Sequence, residues 1–187
     1  MGQVRIVSGD LKGRRIRVPA GHAVRPTAER VREALFSIIG ERVVGARLLD
    51  LYAGSGSLGL EGLSRGAERA VFVESEASVV ENLQRNIDSV GVGERSSVLR
   101  STVETALKRL LGSETFDLVL ADPPYDQADR GLLELLVGRP RLTPEGLLVV
   151  ERPARGKGPA EPPAGLRSVR VAQYGDTRLD FYRSGPA

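Results

Sequence analysis

Apolar residues along this chain follow two different rhythms, and the change falls near residue 47. Before it, "VRIVSGDLKGRRIRVP" carries two alternating runs, Val4–Val7 and Ile16–Val18, around the turn-rich "SGDLKG". That pattern predicts a β-hairpin or extended arm. In "RPTAERVREALFSII", Val31, Leu35, Ile38 and Ile39 form an i, i+4, i+7, i+8 stripe. The stretch predicts an amphipathic helix over 27–40, with Thr27 as its N-cap.

From residue 47 short buried strands alternate with helices. "RLLDLY", "RAVFVE", "SSVLR", "FDLVLAD" and "GLLVVE" read as strands. Between them, "SLGLEGLSRG", "ASVVENLQRNIDSVG", "TVETALKRLLG" and residues 128–138 read as helices. This alternation predicts an α/β fold, a parallel sheet with helices on both faces. The rhythm then breaks at "RPARGKGPAEPPAG", a loop by composition. Two alternating runs around "YGDT" close the chain, so the sheet is expected to end in a hairpin with no helix between its strands. Tyr174 and Thr177 are read as hairpin packing.

Composition narrows the chemistry. No cysteine is present, which excludes disulfides, Cys-ligated zinc and a thiol nucleophile. The single histidine, His22, cannot furnish a His-rich metal site, and no metal is expected. The N-terminus lacks an apolar signal core and no apolar run reaches the ~20 residues of a membrane span, so a cytoplasmic location without membrane partners is expected. Net charge is +3, unevenly spread: residues 1–47 hold ten Lys and Arg against four Asp and Glu. A basic end on a slightly acidic body points to a polyanion contact. Arg5, Lys12, Arg14, Arg15 and Arg17 are its candidates, as phosphate contacts made without reading sequence. Arg25-Pro26-Thr27 reads either as helix capping or as a contact that closes the cleft or touches RNA, so Arg25 is a further candidate for this surface.

"LLDLYAGSGSLGLEGL" places Asp50, Gly54, Gly56 and Gly59 between the first of these strands and its helix. Gly54 to Gly59 fits G-x-G-x-x-G, and Glu74 stands twenty residues beyond Gly54, where a ribose-binding carboxylate belongs. Glycines here let the backbone approach a nucleotide closely. NAD would bring a pyrophosphate anion, whereas S-adenosylmethionine brings a sulfonium cation. Asp50 before the glycines and Asp122 at the end of the fourth strand favour the cation. Tyr52 and Ser55, inside the same loop, complete the candidate cofactor set there.

The fourth strand runs into Asp122-Pro123-Pro124-Tyr125. Residues before proline are pushed toward extended conformations, and the prolines themselves lack N–H donors. The tetrapeptide is thus a stiff bracket that presents acceptors. The Asp122 carboxylate and the Pro123 carbonyl can each take one hydrogen of an exocyclic amine, while Tyr125 stacks on the base. An aryl amine is a poor nucleophile, so holding its lone pair toward a methyl carbon does most of the work, and Asp122 can accept the proton afterwards. A stacked base must be flipped out to reach such a bracket. Guanine N2 and adenine N6 fit it equally. An NAD-binding oxidoreductase and a non-catalytic RNA-binding module remain as readings from other classes.

"DLYAGSGSLGLEGLSRGA", "FVE" and "ADPPY" resemble class I S-adenosylmethionine-dependent methyltransferases of the amino-methylating type. "RIVSGDLKGRRI", "RPTAERVREALFSII" and "YGDT" are similar to the RsmD family, 16S ribosomal RNA (guanine-N2)-methyltransferases of bacteria, over about residues 4–183. The resemblance implies a Rossmann-like, seven-stranded sheet with the last strand antiparallel. It implies S-adenosyl-L-methionine as methyl donor and a guanine of small-subunit ribosomal RNA as substrate. By position, Asp50, Gly54 and Gly56 would line the cofactor and Glu74 would hold the ribose hydroxyls. Thr102 and Val103 would lie near the adenine, Thr102 departing from the acidic or amide residue the family often has there. Asp122 to Tyr125 would hold the guanine. The expected organisation is a basic hairpin arm at 1–24 and a methyltransferase domain at 25–187. A monomer is expected, acting on a preformed, protein-bearing ribosomal particle.

Overall fold

The computed structural model describes residues 2–19, 26–124, 130–138, 141–155 and 162–185, with the backbone alone at 26–28, 130 and 138. Arg25, Tyr125 and His22, singled out in the sequence, lie outside the described residues.

The hairpin forms from β1 (Gly2–Arg5) and β2 (Arg15–Val18), paired antiparallel. Helix α1 (Pro26–Ile39) runs into a 3-10 turn at Gly40–Val43. It starts at Pro26, one residue before the expected 27, and the Thr27 side chain lies outside the described residues. Proline suits that position, since a first-turn N–H has no intrahelical partner anyway.

The main sheet contains β3 (Arg47–Leu51), β4 (Arg69–Glu74), β5 (Ser96–Arg100), β6 (Phe116–Ala121), β7 (Leu142–Pro153), β8 (Leu166–Tyr174) and β9 (Thr177–Ser184). Between the first strands lie α2 (Ser57–Ser64), α3 (Ala77–Val90) and α4 (Val103–Thr105), the last continuing as a π-turn over Ala106–Leu110. Helix α5 (Arg130–Gly138) precedes β7. The strand order is β5-β4-β3-β6-β7-β9-β8. Strands β3 to β7 are mutually parallel, and β9 is antiparallel to both its neighbours. The closing hairpin therefore inserts its second strand between β7 and its own first strand. β9 is buried along its middle, while β8 forms an exposed edge.

Period-two alternation builds two cores, one on each face of the sheet. Leu48, Leu118, Leu120, Leu147 and Val149 face α1, α2, α3 and the hairpin. Leu49, Leu51, Val119, Ala121, Leu148 and Val150 face α4, the π-turn and α5. Strand β7 extends past the expected 146–151: Arg152 and Pro153, expected in the loop, pair with Arg178 and Thr177 of β9. The extended strand carries a buried ion-pair cluster. Buried Arg152 lies 3.0 Å from the equally buried Asp180, and Arg178 lies 2.9 Å from the same carboxylate.

The hairpin is sewn to the body. Val4, Ile16 and Val18 enter the first core. Glu61, fully buried on α2, accepts hydrogen bonds from the backbone N–H of Val7 (2.8 Å) and Ser8 (3.1 Å) and pairs with Arg32 and Arg65. Two cations and two amides offset the cost of burying that charge. Among the described residues no helix is long and apolar enough to cross a membrane.

Candidate functional site at the carboxyl rim of the sheet

Strands β3 and β6 are adjacent and in register to their last residues, Leu51 opposite Ala121. The loop that leaves β3 and the acidic turn that leaves β6 consequently start about 4.8 Å apart, one strand spacing. The Asp122 N–H points at the Leu51 carbonyl, at 3.5 Å, across that seam. Chain order 5-4-3-6-7 reverses direction between β3 and β6, which makes this seam the switch point where open α/β sheets bind ligands.

The loop is held by its own backbone and by Glu74. Tyr52 takes φ +61°, a left-handed conformation unusual for an aromatic residue. Beyond it the Ala53 N–H donates to the Val73 carbonyl (3.0 Å) and the Gly56 N–H to the Ala53 carbonyl (2.7 Å). Gly56, at φ +81°, opens α2, and a Cβ there would stand 2.4 Å from Leu83 Cδ1. The Gly54 N–H donates to Glu74 Oε2 at 3.0 Å. Glu74 Oε1 accepts from the N–H groups of Ser75 (2.6 Å) and Glu76 (3.0 Å). Ser55 is half-buried in the same loop.

Asp50 is tightly packed. It is 1% exposed. Its Oδ2 accepts the Gly59 N–H at 2.8 Å. It therefore satisfies an otherwise free amide in the first turn of α2, as an N-cap would. Burial pushes its carboxyl up to about 8; the Gly59 hydrogen bond opposes this, and the negative charges of Asp122 and Glu74 add to it.

Thr102 and Val103 follow β5, one strand beyond Glu74. The Ser101 N–H donates to the Glu74 carbonyl at 2.9 Å, tying that connection to the rim. The Thr102 hydroxyl oxygen accepts the Thr105 N–H (3.2 Å) as N-cap of α4, and the Val103 side chain is buried in the second core. At β6, Pro123 is buried and Pro124 exposed. Asp122 opens to solvent, yet the cleft walls withhold enough hydration to push its carboxyl up to about 6.

Arg5, Lys12, Arg14, Arg15 and Arg17 all sit exposed on the hairpin. Arg14 donates to the Ser89 carbonyl of α3. The hairpin reaches the glycine loop through a residue that sequence reasoning passed over. Asn86, 1% exposed, accepts the Arg17 N–H (2.8 Å) and donates to the carbonyls of Arg17 and Ser55 (both 2.9 Å). Asn82, one turn earlier, donates to the same Arg17 carbonyl. The available signal was a pair of amides at i, i+4 on the apolar stripe of α3, beside Val79, Leu83, Ile87 and Val90. Glu61 left a similar trace, a lone charge in an otherwise apolar helix.

The rim fits S-adenosylmethionine. Nothing but the Tyr52 carbonyl, at 3.9 Å, would meet a Cβ on Gly54, so the loop surface there is open. Beside it stand the carboxylates of Glu74 and Asp122, a setting that favours a sulfonium over a pyrophosphate. Among the described residues no group of three potential ligands could hold a metal ion.

Comparison with known proteins agrees. The family model described as "Conserved hypothetical protein 95" matches residues 4–183. The chain is 37% identical over 165 residues to "Ribosomal RNA small subunit methyltransferase D" of Escherichia coli (strain K12), covering 86% of this chain and 80% of that protein. The solved structure of Escherichia coli yhhF superposes with a TM-score of 0.88 at 33% identity, covering 100% of both chains. A Thermus thermophilus 16S rRNA N2 G1207 methyltransferase, solved with AdoMet and guanosine, shares the fold at TM-score 0.73 and 23% identity, over 98% of this chain and 50% of that one. A switch-point loop built for a cationic nucleotide, the family match over nearly the whole chain and these superpositions agree: the chain belongs to the RsmD family, with the class I S-adenosylmethionine-dependent methyltransferase fold.

Proposed function

We propose that this chain transfers a methyl group from S-adenosylmethionine to the exocyclic N2 amine of a guanine in 16S ribosomal RNA, within an assembled or partly assembled small subunit. The observation that carries the reading is the seam between β3 and β6, where the glycine loop and the Asp122-Pro123-Pro124 turn open side by side. When bound, S-adenosylmethionine supplies an electrophilic methyl carbon on a sulfonium. Tyr52, Gly54, Ser55 and Gly56 would line it, Glu74 would accept its ribose hydroxyls, and Thr102 and Val103 would flank its adenine. Asp50 acts by holding α2 and the loop in place.

The Asp122 carboxylate and the Pro123 carbonyl take the two amine hydrogens and turn the nitrogen lone pair toward the methyl carbon. Tyr125, a role read from sequence alone, stacks on the guanine. A carboxyl at about 6 is ionised at neutral pH and is a better proton acceptor than an ordinary aspartate. It can remove the proton that the amine loses after the new N–C bond forms. The hairpin of residues 2–18 serves as an RNA arm on one enzyme domain, with Arg5, Lys12, Arg14, Arg15, Arg17 and Arg25 as its phosphate contacts. Guanine is preferred over adenine because of the family, since the bracket itself accepts either amine.

The test is mass-spectrometric mapping of methylated nucleosides after incubation with undermodified small subunits. N2-methylguanosine at one site is expected, and N6-methyladenosine would overturn the choice of base. Asp122→Ala should keep cofactor affinity within a few-fold while lowering methyl transfer by ~10²–10³, the scale for losing one positioned polar group. Undiminished turnover in that variant would refute the bracket.

A further inference from the structure

Alternation along the hairpin puts Val4, Ile16 and Val18 inward and Gln3, Arg5, Arg15 and Arg17 outward. In the ladder Gln3 opposes Arg17, and Arg5 directly opposes Arg15. Like charges directly opposite each other destabilise an antiparallel pair. Among the described residues none of these three arginines makes an ion pair that would relieve it.

Between this face and α3 lies a cavity of about 470 Å³, lined by Gln3, Arg15 and Arg17 from the hairpin and by Arg85, Asn86 and Asp88 from the helix. Three guanidinium groups stand there against one carboxylate. Asp88 is already engaged by Gln84 (3.0 Å), and the Arg85–Glu81 pair (3.5 Å) is exposed on both sides and weakly held. No apolar side chain lines the cavity. A peptide would ask for an apolar anchor and a free base for a stacking surface. A ribose–phosphate backbone needs only forked cationic donors, which arginine presents in a plane.

The wall of this cavity is also a support of the cofactor loop. Asn86 spends its whole amide on Arg17 and Ser55: one acceptor and both donor hydrogens are used. An anion that fixes Arg17 therefore fixes a residue whose backbone is bonded, through one side chain, to the Ser55 carbonyl.

We propose that this groove docks the phosphate backbone of the RNA substrate, and that Asn86 couples its occupancy to the cofactor loop, so that RNA and cofactor each tighten the other's binding. The inference rests on the ribosomal RNA reading above and adds to it Arg85, Gln3 and the coupling residue. Coupling of two sites is reciprocal in binding free energy.

Binding of undermodified small subunits and of naked 16S RNA is measured across a KCl series, for the wild type and for the triple variant Arg15→Gln, Arg17→Gln, Arg85→Gln. Each neutralised phosphate contributes about 0.7–0.9 to the slope of log affinity on log salt, so the triple variant should lose about 2 from that slope. An unchanged slope overturns the groove. A loss seen only with subunits and not with naked RNA assigns the groove to an acidic ribosomal protein segment, which also overturns it. S-adenosylhomocysteine affinity, measured by calorimetry with and without bound RNA, reads the coupling. At least about 5-fold tightening is expected in the wild type and none in the triple variant, which leaves Asn86 and the fold intact. Equal affinity with and without RNA in the wild type overturns the coupling. A wild type that methylates no small-subunit RNA would instead sink the functional reading, a result independent of the salt slopes.

Discussion

Replacing Asp50 by asparagine should make the protein more stable at neutral pH, although it alters the residue that anchors α2. The carboxyl of Asp50 is raised from 3.8 to about 8, mainly by burial. In the unfolded chain it ionises near 4. Below that value both states hold the proton and the shift has no effect on stability. Between about 4 and 8 the native state keeps a proton that the unfolded state has released, so stability falls as pH rises, by about 1.4 kcal/mol per pH unit. At pH 7 the accumulated loss is on the order of 4 kcal/mol. Asparagine never ionises and still offers Gly59 an acceptor at the same position. Its amide adds buried donor hydrogens, whose cost of about 1–2 kcal/mol offsets part of the gain. The expected net stabilisation is about 2–3 kcal/mol at pH 7, shrinking to nothing or to a small loss at pH 4. Urea denaturation of both proteins at half-unit intervals from pH 4 to 8 gives the difference directly. A gap that stays constant over that range, or that widens toward acid, would show that Asp50 is ionised in the folded protein and that the account of its burial is wrong.

Two further expectations concern the same rim. The Asp122 carboxyl at about 6 must be ionised to accept the amine hydrogens, so kcat/KM should fall below pH 6 and hold level above it; a profile flat down to pH 5 would remove Asp122 from the proton transfer. Gly59→Ala should destabilise, because its Cβ would stand 2.2 Å from Cε1 of the fully buried Phe72 ring. Overpacking at a rigid ring costs about 3 kcal/mol and outweighs the roughly 1 kcal/mol that alanine gains in a helix. Thermal melting should show a fall of several degrees, and an unchanged midpoint would mean that α2 moves off the sheet without cost.

What the chain could tell about itself was local. Continuous apolar runs such as "FDLVLAD" read as strands buried on both faces, and five of them separated by helices imply a parallel sheet. Glycine spacing after β3 and the two prolines after β6 act over a few residues, so the loop and the bracket were visible without coordinates. Pairing was visible only in part. The switch-point rule led us to expect the first and fourth of these strands to flank one cleft, and β3 and β6 do, but only the tertiary structure inserts β9 between β7 and β8, because strand neighbours are chosen by contacts between distant segments. Burial was hidden for the same reason. Asp50 read as a carboxylate before a glycine loop; only the structure shows it 1% exposed and accepting the Gly59 amide nine residues on. Arg152 looked like loop, but it pairs across to Arg178 on β9 and lies beside buried Asp180, contacts with a segment distant in sequence. Asn86 carried only the weak mark of an amide on an apolar stripe. Its partners, Arg17 and Ser55, lie 69 and 31 residues away in sequence, and no pattern of a few residues can register a bond of that reach.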